Sequence, residues 1–178
     1  MPTEQVVLVD EHGTPVGQAA KAEVHHGATP LHLAFSCHLF DPQGRILMTR
    51  RALAKQTWPG VWTNSLCGHP LPGEPFDDAI RRRARDEIGV EVSAVQVVLP
   101  DFRYHATDAS GVRENEFCPV FRALTSDEIH PNPDEVMDHR WVRPVDLARL
   151  VSNAPWVLSP WLVQHGPLLP FLRPQEDQ

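Results

Sequence analysis

The sequence has few cysteines, no long apolar run and no excess of basic residues. Its three cysteines, Cys37, Cys67 and Cys118, are few and odd in number, which favours reduced thiols over a disulfide framework. No stretch approaches the 18 consecutive apolar residues of a membrane-spanning helix, and the polar N-terminus is unlike a secretory leader. We therefore expect a cytoplasmic protein that does not enter a membrane.

The charge balance argues against a surface built to hold nucleic acid. The formal net charge is −7 and the sequence pI is about 5.8, whereas nucleic-acid scaffolds carry basic surfaces. A small anionic ligand is still compatible, because local cations can oppose the global sign. The length of 178 residues favours a single domain, residues 1–178, with a core large enough to be stable without disulfides or a structural metal.

Sequence patterns predict strands around one well-defined helix. Apolar and polar residues alternate over residues 31–40, and residues 45–51 are placed to return as the hairpin partner of this strand. An apolar stripe at helical spacing begins after Pro75 and stops before Gly89. Other strands are expected at residues 6–10, from 16, and at 95–99, 102–106, 112–123 and 134–142. Short helices are expected at residues 144–150 and from 159, and a polar connection at residues 21–30.

Residues 58–70 carry the most distinctive chemistry of the chain. This stretch reads WPGVWTNSLCGHP and places Cys67 two residues before His69. A thiol is a strong nucleophile, histidine is the commonest metal ligand, and Gly68 allows the backbone to bend so that both side chains face one cavity. The stretch alone fits either a closed, largely apolar active site or a buried structural cysteine beside a solvated histidine.

Two glutamates stand out in the predicted strand at residues 112–123. Glu114 and Glu116 point to the same side of this strand as Cys118 and Val120. A carboxylate among apolar neighbours is costly unless it is paired or binds a metal. The pattern therefore indicates an ion pair or a metal site on this side of the strand.

Residues 68–90 have the spacing of the Nudix box, G-x5-E-x7-R-E-U-x-E-E-x-G-U with U apolar. Arg83 stands where the first glutamate after the arginine belongs, and Asp86 stands where the next metal-binding glutamate belongs. Only Glu87 of that acidic cluster is kept. Because Nudix hydrolases hold Mg²⁺ with several carboxylates, these departures imply that much of the hydrolytic machinery is absent.

The chain as a whole resembles the type I isopentenyl-diphosphate isomerases, a branch of the Nudix superfamily. The resemblance runs from about residue 6 to residue 161 and is most specific at residues 63–70 and 114–116. It also includes residues 31–36, 101–104, 118–120, 134–136 and 159–161. It implies an α/β fold with a mixed β-sheet sandwiched between helices. It also implies isomerisation of isopentenyl diphosphate to dimethylallyl diphosphate in isoprenoid biosynthesis.

The same resemblance implies two metal ions and a set of substrate contacts. One site of imidazoles and carboxylates suits Mn²⁺ or Zn²⁺ better than Mg²⁺, which prefers oxygen ligands. Its residues are His25, His32, His69, Glu114 and Glu116. A second ion, Mg²⁺, would be held with the substrate diphosphate by Glu87 and the main-chain carbonyl of Cys67. The substrate contacts are Lys21, Arg51, Lys55, Arg83 and Trp161.

Moving a double bond along a five-carbon chain requires one proton to be added and another to be removed two carbons away. We expect Cys67 to exchange the proton next to the diphosphate arm. Glu116, with Tyr104 as a relay, would serve the terminal methylene from the opposite face. Which group acts as acid and which as base in each direction stays open. The face of Trp161 would stabilise the carbocation-like intermediate without reacting with it.

Two other functions compete with the isomerase. A Nudix-type diphosphate hydrolase would release phosphate, and a non-catalytic module would bind metal or a prenyl diphosphate without turnover. Each histidine taken singly is more often a surface or satisfied core residue, and the arginines at residues 81–83 would ordinarily cover a solvated helix face. We expect a small prenyl diphosphate as the binding partner, no nucleic acid, and a monomer or weak homodimer.

Overall fold

A computed structural model describes residues 4–173 of the chain. The strands are β1 (Gln5–Val9), β2 (Pro15–Ala20), β3 (His32–Leu33), β4 (Phe35–Phe40), β5 (Ile46–Arg51), β6 (Trp62–Thr63), β7 (Leu66–Gly68), β8 (Ser93–Leu99), β9 (Arg103–Thr107), β10 (Arg113–Phe117), β11 (Val120–Leu124) and β12 (Val136–Val142). The α-helices are α1 (Lys21–Val24), α2 (Phe76–Ile88), α3 (Pro144–Asn153) and α4 (Pro160–His165). Short 3-10 helices follow at Pro155–Val157, Gly166–Leu168 and Pro170–Leu172.

Within residues 4–173 the strands form two mixed sheets, where the sequence predicted one. The first sheet has the order β2-β1-β3-β10-β9. The second sheet has the order β12-β5-β4-β11-β8, and β6 and β7 pair with β5 and β4. In each sheet the strands from the two halves of the chain meet in a parallel pair, β3 with β10 and β4 with β11.

The predicted helix over residues 76–88 is confirmed as α2. It begins after Pro75 and ends at Gly89, whose φ of 67° is the left-handed conformation that favours glycine. A Cβ at Gly89 would lie 2.8 Å from the carbonyl oxygen of His130. Ile80 and Ile88 on the apolar stripe are fully buried against the second sheet. Each such side chain contributes about 1.5–3 kcal/mol through burial.

The opposite face of the second sheet is covered by α3 and α4. Leu147 of α3 and Leu162 of α4 pack with Ile46 and Val120 of the sheet. The second sheet is therefore sandwiched between α2 on one side and α3 with α4 on the other. This confirms the predicted α/β class and mixed sheet. No helix within the described residues has the length and apolar character needed to span a bilayer.

Two predicted strands are each divided between the sheets. The strand predicted over residues 31–40 breaks at Ala34 into β3 and β4, and the strand predicted over residues 112–123 breaks at Cys118 and Pro119 into β10 and β11. Proline has no N–H with which to continue a ladder. Alternation along the sequence predicts a strand but not a change of sheet, so neither break was predicted.

The segment that joins β3 to β4 and the segment that joins β10 to β11 run side by side between the two sheets, and backbone hydrogen bonds link them. The N–H of Ala34 donates to the carbonyl of Phe117 at 2.9 Å, and the N–H of Ser36 donates to the carbonyl of Pro119 at 3.1 Å. Side chains of the first sheet are thereby brought beside side chains of the second. The polar connection predicted at residues 21–30 differs in detail, because it begins with the short helix α1.

Candidate active site

A cavity of about 470 Å³ lies at this junction of the two sheets. The residues that the sequence predicted for the site come from many separate segments, yet the structure brings them to one place. Those that line the cavity are Lys21, His25, Arg51, Lys55, Cys67, His69, Arg83, Glu87, Tyr104, Glu114, Glu116 and Trp161. The remaining one, His32, is fully buried and belongs to a histidine cluster at the cavity wall.

Three histidines and a glutamate form this cluster, in which one ligand atom from each residue lies within 4.8 Å of the others. Its residues are His25, His32, His69 and Glu116. Oε1 of Glu116 lies 3.1 Å from Nε2 of His69 and 3.5 Å from Nε2 of His32. Imidazole nitrogens and a carboxylate oxygen at this spacing are a donor set that can hold a divalent cation.

His32 shows in detail that the cluster fits a metal. Its Nδ1 lies 2.9 Å from the carbonyl oxygen of Pro30. Because a carbonyl only accepts, Nδ1 carries the proton and Nε2 presents its lone pair to the cluster. That Nε2 is buried and has no hydrogen-bond partner among residues 4–173. A buried, unpaired nitrogen whose tautomer is fixed from behind is the arrangement of a metal-binding histidine.

The second predicted carboxylate, Glu114, lies beside the cluster rather than within it. Its Oε2 is 3.2 Å from Nε2 of His25, and its Oε1 accepts a hydrogen bond of 2.8 Å from the hydroxyl of Thr57. Thr57 was not predicted from the sequence as a site residue. Its hydroxyl orients Glu114 so that the other carboxylate oxygen faces the histidines.

Burial and close charges set the protonation of the cluster. Burial alone would raise the pKa of Glu116, but its close contacts with His32 and His69 hold it well below its usual range. Burial lowers the pKa of His69 to about 4. Burial also lowers the pKa of His32, but the carboxylate of Glu116 outweighs this and the net change is upward. An ionised carboxylate beside a neutral imidazole is the state in which both can bind a cation.

Cys67 lies on the second sheet, opposite Ser36 in the antiparallel pair of β7 and β4. Its Sγ is 3.5 Å from the Ser36 hydroxyl, 3.3 Å from Nδ2 of Asn64 and 3.4 Å from Oδ1 of Asn64. Burial raises the pKa of the Cys67 thiol to about 11. The thiol is therefore protonated at neutral pH, and the thiolate is the minor form.

The aromatic side chains of Tyr104 and Trp161 also line the cavity. The ring of Trp161 lies 5.8 Å from that of Tyr104 and 5.7 Å from that of Trp58, measured between centroids. Tyr104 faces Glu116 across the β9–β10 pair. Burial raises the pKa of Tyr104 well above its usual value, and the charge of Glu116 adds to this. The phenol therefore keeps its proton and is able to donate it.

Ion pairs within the protein hold the cations predicted to bind the diphosphate. Nζ of Lys21 lies 3.0 Å from Glu4, and Lys55 is paired with Glu135. In each pair a carboxylate occupies the position at which the lysine would bind a phosphate oxygen. Glu4 and Glu135 both line the cavity, and neither was predicted as a site residue.

Arg83 and Glu87 form the most buried of these ion pairs. The guanidinium donates twice to Oε1 of Glu87, at 3.0 and 2.5 Å, and lies 3.5 Å from Glu135. Burial raises the pKa of Glu87, although the charge of Arg83 opposes this. The sequence predicted Arg83 as a bidentate phosphate donor and Glu87 as a magnesium ligand. In this structure the two residues bind each other.

Arg51 differs from the other predicted cations because carbonyl groups hold it. Its guanidinium donates to the carbonyl of Thr57 at 2.7 Å and to that of Trp58 at 3.1 Å. Its central carbon lies 5.3 Å from the ring centroid of Trp161. Arg51 therefore keeps its full positive charge at the cavity wall and also packs on an aromatic face.

Comparison with known proteins agrees with this site. The NUDIX domain model matches residues 30–162. An isopentenyl-diphosphate Delta-isomerase of Clavibacter michiganensis subsp. michiganensis is 58% identical over 167 residues, which cover 94% of this chain and 86% of that protein. One of Agromyces mediolanus is 59% identical over 174 residues, which cover 98% of this chain and 84% of that protein. The chain belongs to the isopentenyl-diphosphate Delta-isomerase family of NUDIX-domain proteins.

Solved structures show the same fold at much lower identity. A crystal structure from Deinococcus radiodurans has a TM-score of 0.70 and 21% identity, and the match covers 93% of this chain and 99% of that one. A MutT protein of Methanosarcina mazei Go1 has a TM-score of 0.61 and 15% identity, with 83% and 97% covered. These likenesses extend to the fold. The isomerase family is recognised from the closer relatives.

Sequence reasoning missed several polar residues at the site. The fully buried Asn64 and Ser36 contact the thiol, and Thr57 orients a glutamate. Asn64 lies inside residues 58–70, so its proximity to Cys67 was available as a signal. Ser36 and Thr57 gave no such signal, because hydroxyl side chains are common in strands and loops for many reasons.

Proposed function

We propose that this chain interconverts isopentenyl diphosphate and dimethylallyl diphosphate, as the names of its relatives indicate. The observation that carries the proposal is that Cys67 and Glu116 open onto one cavity, although they lie on different sheets. An isomerase of this kind needs two proton-exchanging groups on one small substrate. Binding alone needs neither.

The proposed reaction adds one proton to the five-carbon chain and removes another. The Glu116 side, with the Tyr104 phenol as relay, delivers a proton to the terminal methylene, and positive charge forms at the adjacent tertiary carbon. The Cys67 sulfur, from the minor thiolate population of the protein, then takes a proton from the carbon next to the diphosphate arm and becomes a thiol, and the electrons of that C–H bond form the new double bond. Both groups return to their starting state by exchange with solvent.

The aromatic part of the lining, Tyr104 and Trp161, suits such an intermediate. Trp161 is only 3% exposed and its ring lies beside that of Tyr104. A π face stabilises a nearby cation without forming a bond to it. Water must be kept from the intermediate while it exists, because it would hydrate the cation. Trp161 is in this proposal the residue that stabilises positive charge between the two proton-exchanging groups.

The residues of the histidine cluster fit one cation, and the family resemblance implies a second. His25, His32, His69 and Glu116 would hold Mn²⁺ or Zn²⁺, with Glu114 as a further carboxylate beside them. Glu87 and the Cys67 carbonyl would hold Mg²⁺ together with the diphosphate. A bound divalent cation supplies positive charge that fixes carboxylates and phosphate oxygens in place.

Substrate binding would exchange the internal carboxylates for phosphate oxygens. Lys21, Lys55 and Arg83 are already gathered around the cavity by Glu4, Glu135 and Glu87. A diphosphate carries more charge than one carboxylate and offers more acceptors, and arginine matches phosphate geometry in a bidentate manner. The ion pairs seen without substrate therefore keep the cations in position for the diphosphate.

Incubation with isopentenyl diphosphate in D₂O, followed by proton and phosphorus NMR, tests the proposal. We expect dimethylallyl diphosphate carrying deuterium in its new methyl group. Treatment with a chelator should stop its formation, and added Mn²⁺ or Mg²⁺ should restore it. Release of inorganic phosphate would favour the hydrolase function, and unchanged substrate in the presence of metal would overturn the proposal.

A further inference from the structure

The hydroxyl of Thr57 bonds a predicted metal ligand on one side and a predicted diphosphate contact on the other. It lies 2.8 Å from Oε1 of Glu114 and 3.2 Å from Nη2 of Arg51. Thr57 is only 6% exposed, and all three residues line the cavity. A single buried hydroxyl therefore bridges two groups that the family resemblance assigns to different parts of the site.

The chemistry of the two partners fixes the direction of these hydrogen bonds. A guanidinium can only donate, so the Thr57 hydroxyl accepts from Arg51. Its own proton is then directed to Oε1 of Glu114. Two hydrogen bonds that run in the same direction polarise each other, so the loss of either one weakens the other. The positions of Arg51 and Glu114 are therefore linked through this hydroxyl.

The Thr57 loop, which we define as residues 52–61 between β5 and β6, also holds Arg51 through its main chain. The carbonyl of Thr57 accepts from Nη2 of Arg51 at 2.7 Å and from Nε at 3.0 Å, and that of Trp58 accepts from Nε at 3.1 Å. Trp58 has a φ of 43°, which is uncommon for a residue other than glycine. Such a conformation persists only where the surroundings hold it in place. The position of the Arg51 guanidinium therefore depends on how firmly this loop is held.

Glu114 holds the Thr57 loop from the metal side of the cavity. Its Oε2 is buried, lies 3.2 Å from Nε2 of His25 and has no hydrogen-bond partner within residues 4–173. When Oε2 binds a cation together with the histidines, the carboxylate can no longer rotate. Oε1 then becomes a fixed acceptor for the Thr57 hydroxyl. Order at the histidine cluster would thereby reach the loop that holds Arg51.

We propose that Thr57 couples the two parts of the site, so that a divalent cation bound by the histidines and Glu114 strengthens the binding of a diphosphate by Arg51. Thr57 is in this role a positioning residue. The inference rests on the proposed function for the identity of the anion. The coupling itself is a property of binding and can be measured without turnover. Because coupling between two ligands is reciprocal, the diphosphate must strengthen cation binding by the same factor.

Titration of the protein with Mn²⁺, followed by electron paramagnetic resonance, tests the coupling. The titration is carried out in excess Mg²⁺ with and without inorganic diphosphate, and a protein-free titration corrects for Mn²⁺ bound by diphosphate in solution. In the wild type, diphosphate should raise the affinity for Mn²⁺. In Thr57→Val this enhancement should be smaller by about five- to tenfold. A role confined to orienting Glu114 would lower the affinity equally with and without diphosphate, and that result would overturn the proposal.

Two further variants show whether the hydroxyl of Thr57 is responsible. Thr57→Ser keeps the hydroxyl and should restore the enhancement. Thr49→Val is the matched control, because Thr49 is 3% exposed and lines the same cavity, but its hydroxyl donates to the carbonyls of Asn64 and Ser65. This variant should keep the wild-type enhancement. An equal loss in Thr49→Val would show that general loosening of the cavity is the cause, and would also overturn the proposal.

Hydrogen exchange measured by mass spectrometry tests the path through the loop. Added Mn²⁺, without diphosphate, should slow amide exchange in residues 52–61 of the wild type and have a much smaller effect on these residues in Thr57→Val. Equal slowing in the two proteins, or none in the wild type, would contradict the coupling through Thr57. Coupling in a protein that does not isomerise would overturn the proposed function alone. Isomerisation by a protein without coupling would overturn this inference alone.

Discussion

The two sheets contribute different chemistry to one cavity. The first sheet provides buried atoms that have no hydrogen-bond partner within residues 4–173, such as Nε2 of His32 and Oε2 of Glu114. The second sheet provides Cys67, whose sulfur is surrounded by hydrogen-bonding groups of the protein. The wall of the cavity formed by the first sheet, with His32 and Glu114, is called the metal wall, and its unpaired donors would be satisfied by a bound cation. The wall formed by the second sheet, with Cys67, is called the thiol wall, and its sulfur already has hydrogen-bonding neighbours within the protein.

This difference shows how the cavity can hold a metal and a thiol without allowing them to combine. A thiolate is a strong ligand for Zn²⁺, so a free sulfur beside the histidine cluster would be expected to join it. Cys67 is instead held by Ser36 and Asn64 on the far sheet, and it is absent from the group of ligand atoms that cluster within 4.8 Å. The separation of the two sheets keeps the sulfur available for proton exchange.

Removal of either proton-exchanging group should have the largest effect. Cys67→Ala and Glu116→Gln should each lower kcat by about 10²–10⁴-fold, the usual contribution of a positioned acid or base. Only Glu116→Gln should also weaken metal binding, because only Glu116 belongs to the cluster.

Cys37→Ala is the control for the cysteine substitution. Cys37 is fully buried in the core that packs on α2 and does not line the cavity. This variant should keep most of the turnover. Equal weakening of metal binding by Cys67→Ala and Glu116→Gln, measured by calorimetry without substrate, would contradict the division between the two walls.

The neighbouring histidines His25 and His26 offer the next largest contrast. His25 lies in the cluster, whereas His26 is exposed. His25→Gln should lower the affinity for Mn²⁺ by about 100-fold or more, since even the loss of a supporting contact costs 10–100-fold. His26→Gln should bind metal as the wild type does. Titration with Mn²⁺, followed by electron paramagnetic resonance, measures the affinity of each variant. Equal affinities would show that His25 is not a metal ligand.

A methyl group added at Gly68 tests how closely the thiol wall packs on α2. A Cβ there would lie 2.8 Å from Cγ of Arg83 and 3.1 Å from the ring of Phe35. Because Arg83 is held by Glu87, it cannot move away freely. Gly68→Ala should lower the free energy of unfolding by about 1–3 kcal/mol.

Gly27→Ala is the comparison for that measurement. The nearest atom to a Cβ at Gly27 is 3.9 Å away, which is ordinary contact. Its effect on the free energy of unfolding should be about 0.5 kcal/mol or less. Chemical denaturation of the two variants gives their free energies of unfolding. Similar losses in both would show that the residues around Gly68 can shift to accommodate a methyl group.

The last comparison concerns the face of the second sheet that α3 and α4 cover. Nε2 of His38 on β4 lies 3.0 Å from Nε2 of His165 on α4, and both residues are fully buried. Burial lowers the pKa of His38 from 6.5 to about 3. The unfolded chain therefore takes up this proton first, so stability is lost as the pH falls from about 6.5 towards 3.

His38→Gln should flatten this pH dependence. Each histidine held neutral contributes a slope of about 1.4 kcal/mol per pH unit over that range, and the variant removes one such contribution. His12→Gln, at an exposed turn position, should keep the wild-type slope. Denaturation curves collected from pH 7 to pH 4 give the slopes, and parallel curves for the wild type and His38→Gln would contradict the account.

Much of the fold could be predicted because local signals agreed with one another. The stripe, the proline and Gly89 all indicate α2 with its observed ends. The division of the strands at Ala34 and Pro119 could not be predicted, because alternation shows which residues share a face but not which sheet a strand joins. The pairing of β3 with β10 is a contact between distant segments, and periodicity carries no information about it.

The candidate site could be predicted by residue type and resemblance rather than by geometry. The histidines and glutamates were expected as metal ligands, and Cys67 as a reactive group, because their residue types suit these roles and the family resemblance selects these positions. Asn64 and Thr57 act through hydrogen bonds whose partners are brought close only by folding. The pairing of Arg83 with Glu87 is a different case. The i and i+4 spacing on α2 already places the two residues side by side, but it suits an ion pair as well as a shared ligand.

The position of deuterium in substrate recovered from Cys67→Ala tests the central claim most directly. With Glu116 intact and the thiol removed, protonation of the terminal methylene should reverse without isomerisation. Isopentenyl diphosphate recovered from D₂O should therefore carry deuterium at the terminal methylene and none at the carbon next to the diphosphate arm. Deuterium at that second carbon in Cys67→Ala would contradict the assignment of the two proton exchanges to opposite walls.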